Sequence, residues 1–372
     1  MDEPEDLRGD NTHCLYFHHI TNLKMMTHHE CMKVIIPAAG AGTRLKPHTH
    51  TKPKPMVYVA GKPIIGHILD RVSEIDPDEL IVVVGYRKDV LCDYIIRNFS
   101  HKLRKITFVE QDVQRGLAHA IYLCRDAVDG DSILISLGDM LFKTDYKGFM
   151  KLHQELMPCD GSIGIKKVDD PENYGIVIPR KGDKTGIDHM VEKPEKPESN
   201  LAIAGVYIIE NSELLFSSIE KLMKKSKSNG ELQLTDALQI MLDSGADLKI
   251  FDVYDWYDCG RPETLLQVNK MLLNELAAGK TLTMGHIYTE NSVIIPPAVF
   301  DGNVVIKNSI VGPHVSVAAD TVIENSIICS SIIGTSSYIR DMNLSDSIIG
   351  EEVRLVGKKN SVNIGDNSTI DF

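Results

Sequence analysis

The sequence predicts an α/β fold: a mostly parallel sheet with helices on both faces, followed by a short parallel β-helix. Two patterns carry the prediction. Short apolar, β-branched runs alternate with helical stretches from Met32 to about residue 275. Beyond Lys280 helix formers thin out and one small theme recurs, as NSIVG (308–312), NSIIC (325–329), SSIIG (330–334) and DSIIG (346–350).

The elements follow in order. Lys33–Pro37 (KVIIP) is a buried-strand pattern that stops at Pro37 and runs into small residues. Pro63–Ile75 has helical spacing, with Ile64, Ile65, Ile68, Leu69 and Val72 on one face. Leu80–Gly85 (LIVVVG) is the next strand and Lys88–Phe99 the next helix. Ile106–Glu110 and Ser132–Leu137 are further strands, with Leu117–Arg125 as the helix between them. Strand, helix, strand, helix implies a parallel, Rossmann-like sheet covered on both faces. Later strands are expected at Gly161–Val168, Ala202–Ile209 and Leu248–Val253, and helices at Ser212–Lys224, Leu234–Leu242 and Pro262–Glu275.

In the C-terminal part, apolar residues recur about every five or six positions, at Val293, Val299, Val305, Val311, Val317, Val322 and Ile328. Short β pieces of this period suit a coil in which each unit forms one side. The pattern resembles the left-handed hexapeptide β-helix, although the spacing is irregular and the coil short. The division expected is an extension at 1–31, a sheet domain at 32–279, the coil at 280–357 and a tail at 358–372.

At 372 residues the chain allows roughly two to three domains. Its net charge of -12 argues against general nucleic-acid binding, which calls for a basic surface. The longest apolar runs are too short to span a bilayer. Seven scattered cysteines with no C-x-x-C pair suggest neither a disulfide framework nor a zinc site, and fit a reducing cytoplasm. The first 31 residues hold five of the 14 histidines and lack the apolar core of a secretory signal. They are expected to be a poorly ordered extension, or to precede a true start at Met32.

One stretch departs from the acidic background. From Met32 to Leu69 there is no Asp or Glu, whereas Lys33, Arg44, Lys46, Lys52, Lys54 and Lys62 are cationic. Within it, AAGAGTRLKPHTHTKPKP (38–55) joins a glycine-rich turn to that charge. A turn of small residues exposes backbone N–H groups to an anion. Arg44 adds a planar fork of donors, and Lys54 sits between two prolines that stiffen its backbone. The stretch is not a P-loop, and the third glycine of a dinucleotide fingerprint is replaced by Leu45.

AAGAGTRLKPHTHTKPKPMVYVAGKP resembles the signature of the sugar-nucleotide pyrophosphorylases, nucleotidylyltransferases that join a sugar 1-phosphate to a nucleoside triphosphate. The family pattern G-x-G-T-R-L-x-P, a spacer, P-K-P and then K-P is met throughout. The resemblance continues in order through EQDVQRGLAHA (110–120), SLGDM (136–140), NYGIV (173–177), VEKP (191–194), AGVYI (204–208) and WYDCGRPE (256–263), covering about Met32 to Asn274. Met140 stands where the family often has Asn, and Arg261 where Thr is usual.

Asp139 follows an apolar strand, at the carboxyl end where open α/β sheets bind ligands. With Asp258 it could hold Mg²⁺, which shares its sphere with substrate phosphates; the resemblance implies that both are ligands. Gln111 offers a donor and an acceptor side by side, suited to uracil, thymine or adenine. By resemblance Gln111 and the backbone at Gly116 contact the base, with Ala39, Gly40 and Gly42 also at the nucleotide, and the AAG form is similar to members using UTP or dTTP. Glu192 and Lys193 would point to opposite faces of a strand. The family implies that Glu192 holds sugar hydroxyls, Lys193 the sugar phosphate and Gly175 the sugar through its backbone, with Arg44 and Lys54 as the catalytic cations.

The attacking phosphate is already anionic, so no general base is needed, in keeping with the lack of a Ser-His-Asp or Cys-His arrangement near the motifs. The expected partners are the two substrates, with no nucleic acid and no membrane, and a homo-oligomer through the coil. The alternatives are an inactive regulatory subunit, the same reaction with GTP and mannose 1-phosphate, and a bifunctional enzyme whose coil also transfers acyl groups. His314, the only histidine between Ile287 and Gly357, bears on the last.

Overall fold

A computed structural model describes residues 32–225, 230–254, 256–277 and 280–358. The expectations for residues 1–31 and for the tail beyond 358 lie outside the described residues. A mixed nine-stranded sheet is built from β1 (Met32–Pro37), β2 (Glu79–Val84), β3 (Ile106–Glu110), β4 (Ser132–Ser136), β6 (Gly161–Lys167), β7 (Gly175–Pro179), β8 (Ile187–Glu192), β9 (Leu201–Ile209) and β10 (Leu248–Asp252). A separate ribbon pairs β5 (Met140–Phe142) with β11 (Trp256–Asp258).

The main order is β8-β7-β9-β4-β1-β2-β3, with β6 beside β9 and β10 beside β6. The parallel arrangement expected from alternation holds for β4-β1-β2-β3. Beyond Ser136 the chain reverses: β9 runs antiparallel to β4, β6 and β7, and β7 to β8. Strands β7 and β8, and the helix Tyr146–Leu156, were not among the expected elements. Strand β8 and the helix mix apolar with polar residues, and the apolar run of β7, Ile176–Ile178, is only three residues long.

The apolar runs are continuous because both faces of the sheet are covered. Side chains alternate between faces, so Val34, Ile36, Leu80 and Val82 enter one core while Ile35, Ile81 and Val83 enter the other. The first core receives α1 (Ile64–Ser73), α2 (Lys88–Phe99), α4 (Tyr146–Leu156) and α7 (Pro262–Ala277). The second receives α3 (Leu117–Tyr122), α5 (Ser212–Lys225) and α6 (Leu234–Asp243). Helix α3 stops at Tyr122 rather than Arg125, and a separate turn of helix occupies Arg125–Val128.

The C-terminal part is the left-handed parallel β-helix, with three ladders of short parallel strands. Thr281 pairs with Ala298 and Ala298 with Val315, a step of 17 residues, whereas Ser316 pairs with Ile332 and Ile332 with Ile348, a step of 16. A strict six-residue step would need 18 and drifts by one residue in the first coils and two in the later ones. One residue along a strand reverses the direction of its side chain. That is why Val311, Val317 and Ile328 fill the coil's core whereas Val293, Val299, Val305 and Val322 do not. NSIVG stacks on NSIIC on one side of the coil, and SSIIG on DSIIG on another. At one corner Asn291, Asn308, Asn325 and Asp341 take positive φ of 46°, 48°, 47° and 56°, a conformation for which Asn and Asp are favoured among residues with a side chain.

Candidate active site

After β1 the chain visits β2 and β3 on one side and then returns to β4 on the other. The crevice beyond the carboxyl ends of β1 and β4 is therefore a switch point, where open α/β sheets bind ligands. A cavity of about 370 Å³ lies there. It is lined by Ala39, Gly40, Gly42 and Arg44 after β1, Lys54 in the signature segment, Gln111 and Gly116 after β3, and Asp139 after β4.

The turn has a steric logic. Gly42 has φ 63°, and a Cβ there would lie 2.7 Å from the Cβ of Lys54. Glycine thus lets the turn and Lys54 approach one another. Gly116 has φ 97°, and an added Cβ would meet the Leu232 backbone at 2.6 Å. Thr49 Oγ1 donates to Gly42 O at 2.8 Å and Gln114 Nε2 to Ala39 O at 2.8 Å, which tie the turn down from both sides. Arg44 is exposed, and among the described residues no carboxylate pairs with it.

Lys54 is 8 % exposed. Its Nζ bonds the Asp139 carboxylate and lies 3.5 Å from Asp258 Oδ1. Burial opposes its charge, but the two carboxylates outweigh burial and hold its pKa above the ordinary lysine value. Asp139 and Asp258 meet because of the β5–β11 ribbon: Asp258 pairs with Met140, and Cys259 N donates to Asp139 O at 3.0 Å. Two carboxylates thus converge on one cation. This hard-oxygen pair suits a small divalent ion that completes its sphere with phosphate oxygens. Among the described residues no group of three or more His, Cys, Asp and Glu could enclose a metal by itself.

Gln111 is 6 % exposed, and its amide is already committed on one side. Nε2 donates to Gly116 O at 3.2 Å and to His119 Nδ1 at 3.1 Å. Both N–H groups are thus occupied, and among the described residues no donor meets the carbonyl oxygen. The side-by-side donor and acceptor expected from the sequence reduces to an acceptor. His119 was given no role by its motif; it sets this orientation. Burial, and then Arg115, hold its pKa below the ordinary histidine value.

Gly175, Glu192 and Lys193 form a second group, outside the cavity lining. Glu192 pairs with Gly175 across β7 and β8. Its Oε2 accepts from Thr235 Oγ1 at 2.7 Å. The strand ends at Glu192, and Lys193 turns to φ 42°. The two side chains therefore do not diverge, and Lys193 Nζ lies 3.5 Å from Glu192 Oε1.

Tyr174 and Trp256 connect the two groups. Their rings meet edge to face with centroids 5.3 Å apart, and Trp256 lies on the strand that ends at Asp258. Burial raises the Tyr174 pKa, as do Asp170 and Asp258, while Arg261 and Arg44 oppose them. Met140, one of the departures, accepts a hydrogen bond on sulfur from Trp256 Nε1 at 3.1 Å. Thr235, Gln114 and Glu231, which also lines the cavity, were not singled out from sequence. NYGIV already contained Tyr174, but nothing around Thr235 signals its partner.

The fold and site define an open-sheet α/β protein with an anion-binding turn at the switch point and a carboxylate pair beside it. A nucleotidyl transferase family model matches residues 33–275, and the chain belongs to that family. It is similar to the bifunctional protein GlmU of Methanocaldococcus jannaschii, 36% identical over 66% of this chain and 55% of that protein. It is also similar to UTP--glucose-1-phosphate uridylyltransferase AglF of Haloferax volcanii, 32% identical over 66% of this chain and 98% of that one. A crystal structure of UDP-glucose pyrophosphorylase complexed with UDP-glucose superposes with a TM-score of 0.58 at 28% identity, over 66% of this chain and 99% of the other. The chain spans little more than half the length of the GlmU relatives it matches.

Proposed function

We propose that the protein transfers a nucleotidyl group from a nucleoside triphosphate to a sugar 1-phosphate, releasing pyrophosphate, with UTP or dTTP and glucose 1-phosphate as substrates. The convergence of Lys54, Asp139 and Asp258 beside the glycine turn carries this reading. The similarity to AglF, which spans nearly all of that relative, supports the choice of substrates.

An oxygen of the sugar phosphate attacks the α-phosphorus while pyrophosphate leaves in line. The chain's part is positioning and charge stabilisation. The turn around Ala39, Gly40 and Gly42 receives the triphosphate, and Arg44 neutralises its β,γ-phosphates. Lys54, released from the carboxylates when phosphates compete for its ammonium, holds the reacting phosphate with Lys193. Asp139 and Asp258 would hold Mg²⁺, which neutralises phosphate charge. The Gln111 carbonyl accepts from the base. Uracil and thymine offer the imide N–H; other bases also carry donors, so Gln111 permits a pyrimidine without enforcing one. Glu192, fixed by Thr235, accepts from sugar hydroxyls, and Gly175 meets the sugar through its backbone.

The division into a transferase domain at 32–279 and a coil at 280–357 belongs to this reading, as does a cytoplasmic location. Among the described residues no helix is long and apolar enough to cross a membrane. A second copy of the chain is the expected partner on the coil. Val293, Ile310 and Ile327 stack in register as an exposed, uncharged ladder, and a protein of net charge -12 meets itself with least repulsion there. His314 Nε2 lies 3.0 Å from Asn274 Oδ1 of α7, a docking role in place of acyl transfer. The test is pyrophosphate release from five triphosphates against several sugar 1-phosphates with Mg²⁺. Turnover with UTP or dTTP and glucose 1-phosphate is expected, and silence across the panel from folded protein would overturn the reading.

A further inference from the structure

The segment from Thr43 to Ala60 carries Arg44 and Lys54, yet it contains only two short turns of 3₁₀ helix and one arm of a two-residue ribbon. Little secondary structure of its own holds it in place. Leu45, Val57, Val59 and Ala60 anchor it in the first core, and Tyr86 Oη donates to His50 O at 2.7 Å; further contacts of the segment reach toward the coil. Lys52 bonds the Glu351 carboxylate in the last described turns of the coil. Tyr58 Oη donates to Val317 O, also in the coil, at 3.3 Å. Ala60 N donates to Asn269 Oδ1 at 3.0 Å; the same oxygen accepts from Ser316 Oγ of the coil at 2.6 Å, and Asn269 Nδ2 donates to His314 O at 3.1 Å.

Asn269 is 1 % exposed and uses its whole amide in this relay. Between the segment and the coil, by contrast, lies a cavity of about 540 Å³ lined by Pro47, His48 and Val57 on one side and Ile332, Ile348 and Val353 on the other. Apolar packing therefore joins the segment to the coil only in part, through a core that Val57 and Ile332 share. Lys52 and Glu351, which also line the cavity, bridge across it. Lys52 is two residues from Lys54, with only Pro53 between.

We propose that the coil is a working part of the transfer site: through Lys52–Glu351, Tyr58 and Asn269 it sets the position of the segment that presents Arg44 and Lys54. Glu351, Lys52 and Asn269 are positioning residues, since none of them lines the catalytic cavity. Reactions that depend on placing two phosphates lose rate when a donor is displaced by as little as about 1 Å. The effect should therefore fall on kcat more than on either KM.

The proposal rests on the transfer activity, so its test has one readout with that activity and one without it. Glu351→Lys places like charges together at an accessible position, and Lys52→Glu with Glu351→Lys restores an opposite pair. An accessible ion pair is worth up to about 1 kcal/mol, roughly a fivefold rate effect. Glu351→Lys should lower kcat for pyrophosphate release about fivefold, with both KM values and the melting temperature nearly unchanged. The double variant should recover most of the loss. Hydrogen exchange of peptides covering 43–60 should quicken in the single variant and slow again in the double one, whichever substrates the enzyme uses. Unchanged kcat and exchange in Glu351→Lys, or a double variant no better than the single, would overturn the proposal. Absence of pyrophosphate release from the wild type would instead count against the transfer reaction, and the exchange comparison would still decide the clamp.

Discussion

The two halves of the site are built differently. The half proposed to take the nucleotide stands on the ends of parallel strands β1, β3 and β4, so its groups belong to a frame buried on both faces. The sugar half stands on the β7–β8 pair at the sheet's margin, where Glu192 depends on Thr235 of a separate helix. The first half gathers charge around a fixed turn; the second offers one carboxylate and one exposed lysine. Under the proposed function, chemistry common to all substrates would rest on the more rigid part, and sugar selection on a part that can change without disturbing it.

The largest effect should come from the carboxylate pair of the first half. Asp139→Asn should reduce pyrophosphate release by about 10²–10³, the usual loss for one preorganised electrostatic group. Circular dichroism should show the fold intact, and near-normal turnover would remove Asp139 from the mechanism. Glu192→Gln should act on one half only. Loss of a hydrogen bond to a charged group, about 1.5–3 kcal/mol, should raise KM for the sugar phosphate at least tenfold and leave KM for the triphosphate unchanged. Equal changes in both would erase the distinction.

The converse variant is a pH profile. Burial holds His119 below its ordinary pKa of about 6.5, so the ring is neutral at pH 7 and gains a proton only as pH falls below that value. A protonated Nδ1 would face the Gln111 N–H and turn the amide. The KM for triphosphate should then rise as pH falls below the ordinary histidine range, with a smaller rise in His119→Asn, while the sugar-phosphate KM follows the same course in both. A smaller effect on catalysis is expected from Ile327→Lys in the exposed ladder: loss of the proposed self-association by light scattering, with activity per chain retained within about twofold, since a surface change away from the site costs under about 0.5 kcal/mol.

The asymmetry also explains what could be read in advance. The nucleotide half lies in contiguous stretches, with AAGAGTRL and LGD each following an apolar run, so turn chemistry and charge exposed it. Asp258 required the resemblance, because only the β5–β11 ribbon carries it to Asp139. The orientation of Gln111 was illegible, since it depends on His119 one turn into α3. Lys193 was misread as opposing Glu192 because its positive φ follows from the end of β8, which no local pattern marks. The apolar recurrence of five or six residues picked out Val299 and Val305, but coils of 17 and 16 residues leave both outside the coil's core.

The central claim is that a positively charged turn and a carboxylate pair bring two phosphates together. It is tested most directly by incubating the full chain with Mg²⁺, glucose 1-phosphate and UTP or dTTP, and following pyrophosphate and nucleotide-sugar together. Equal amounts of the two products, both lost in Asp139→Asn, are predicted. Nucleotide-sugar formation that persists in Asp139→Asn, or no product from folded wild-type protein, would contradict the account.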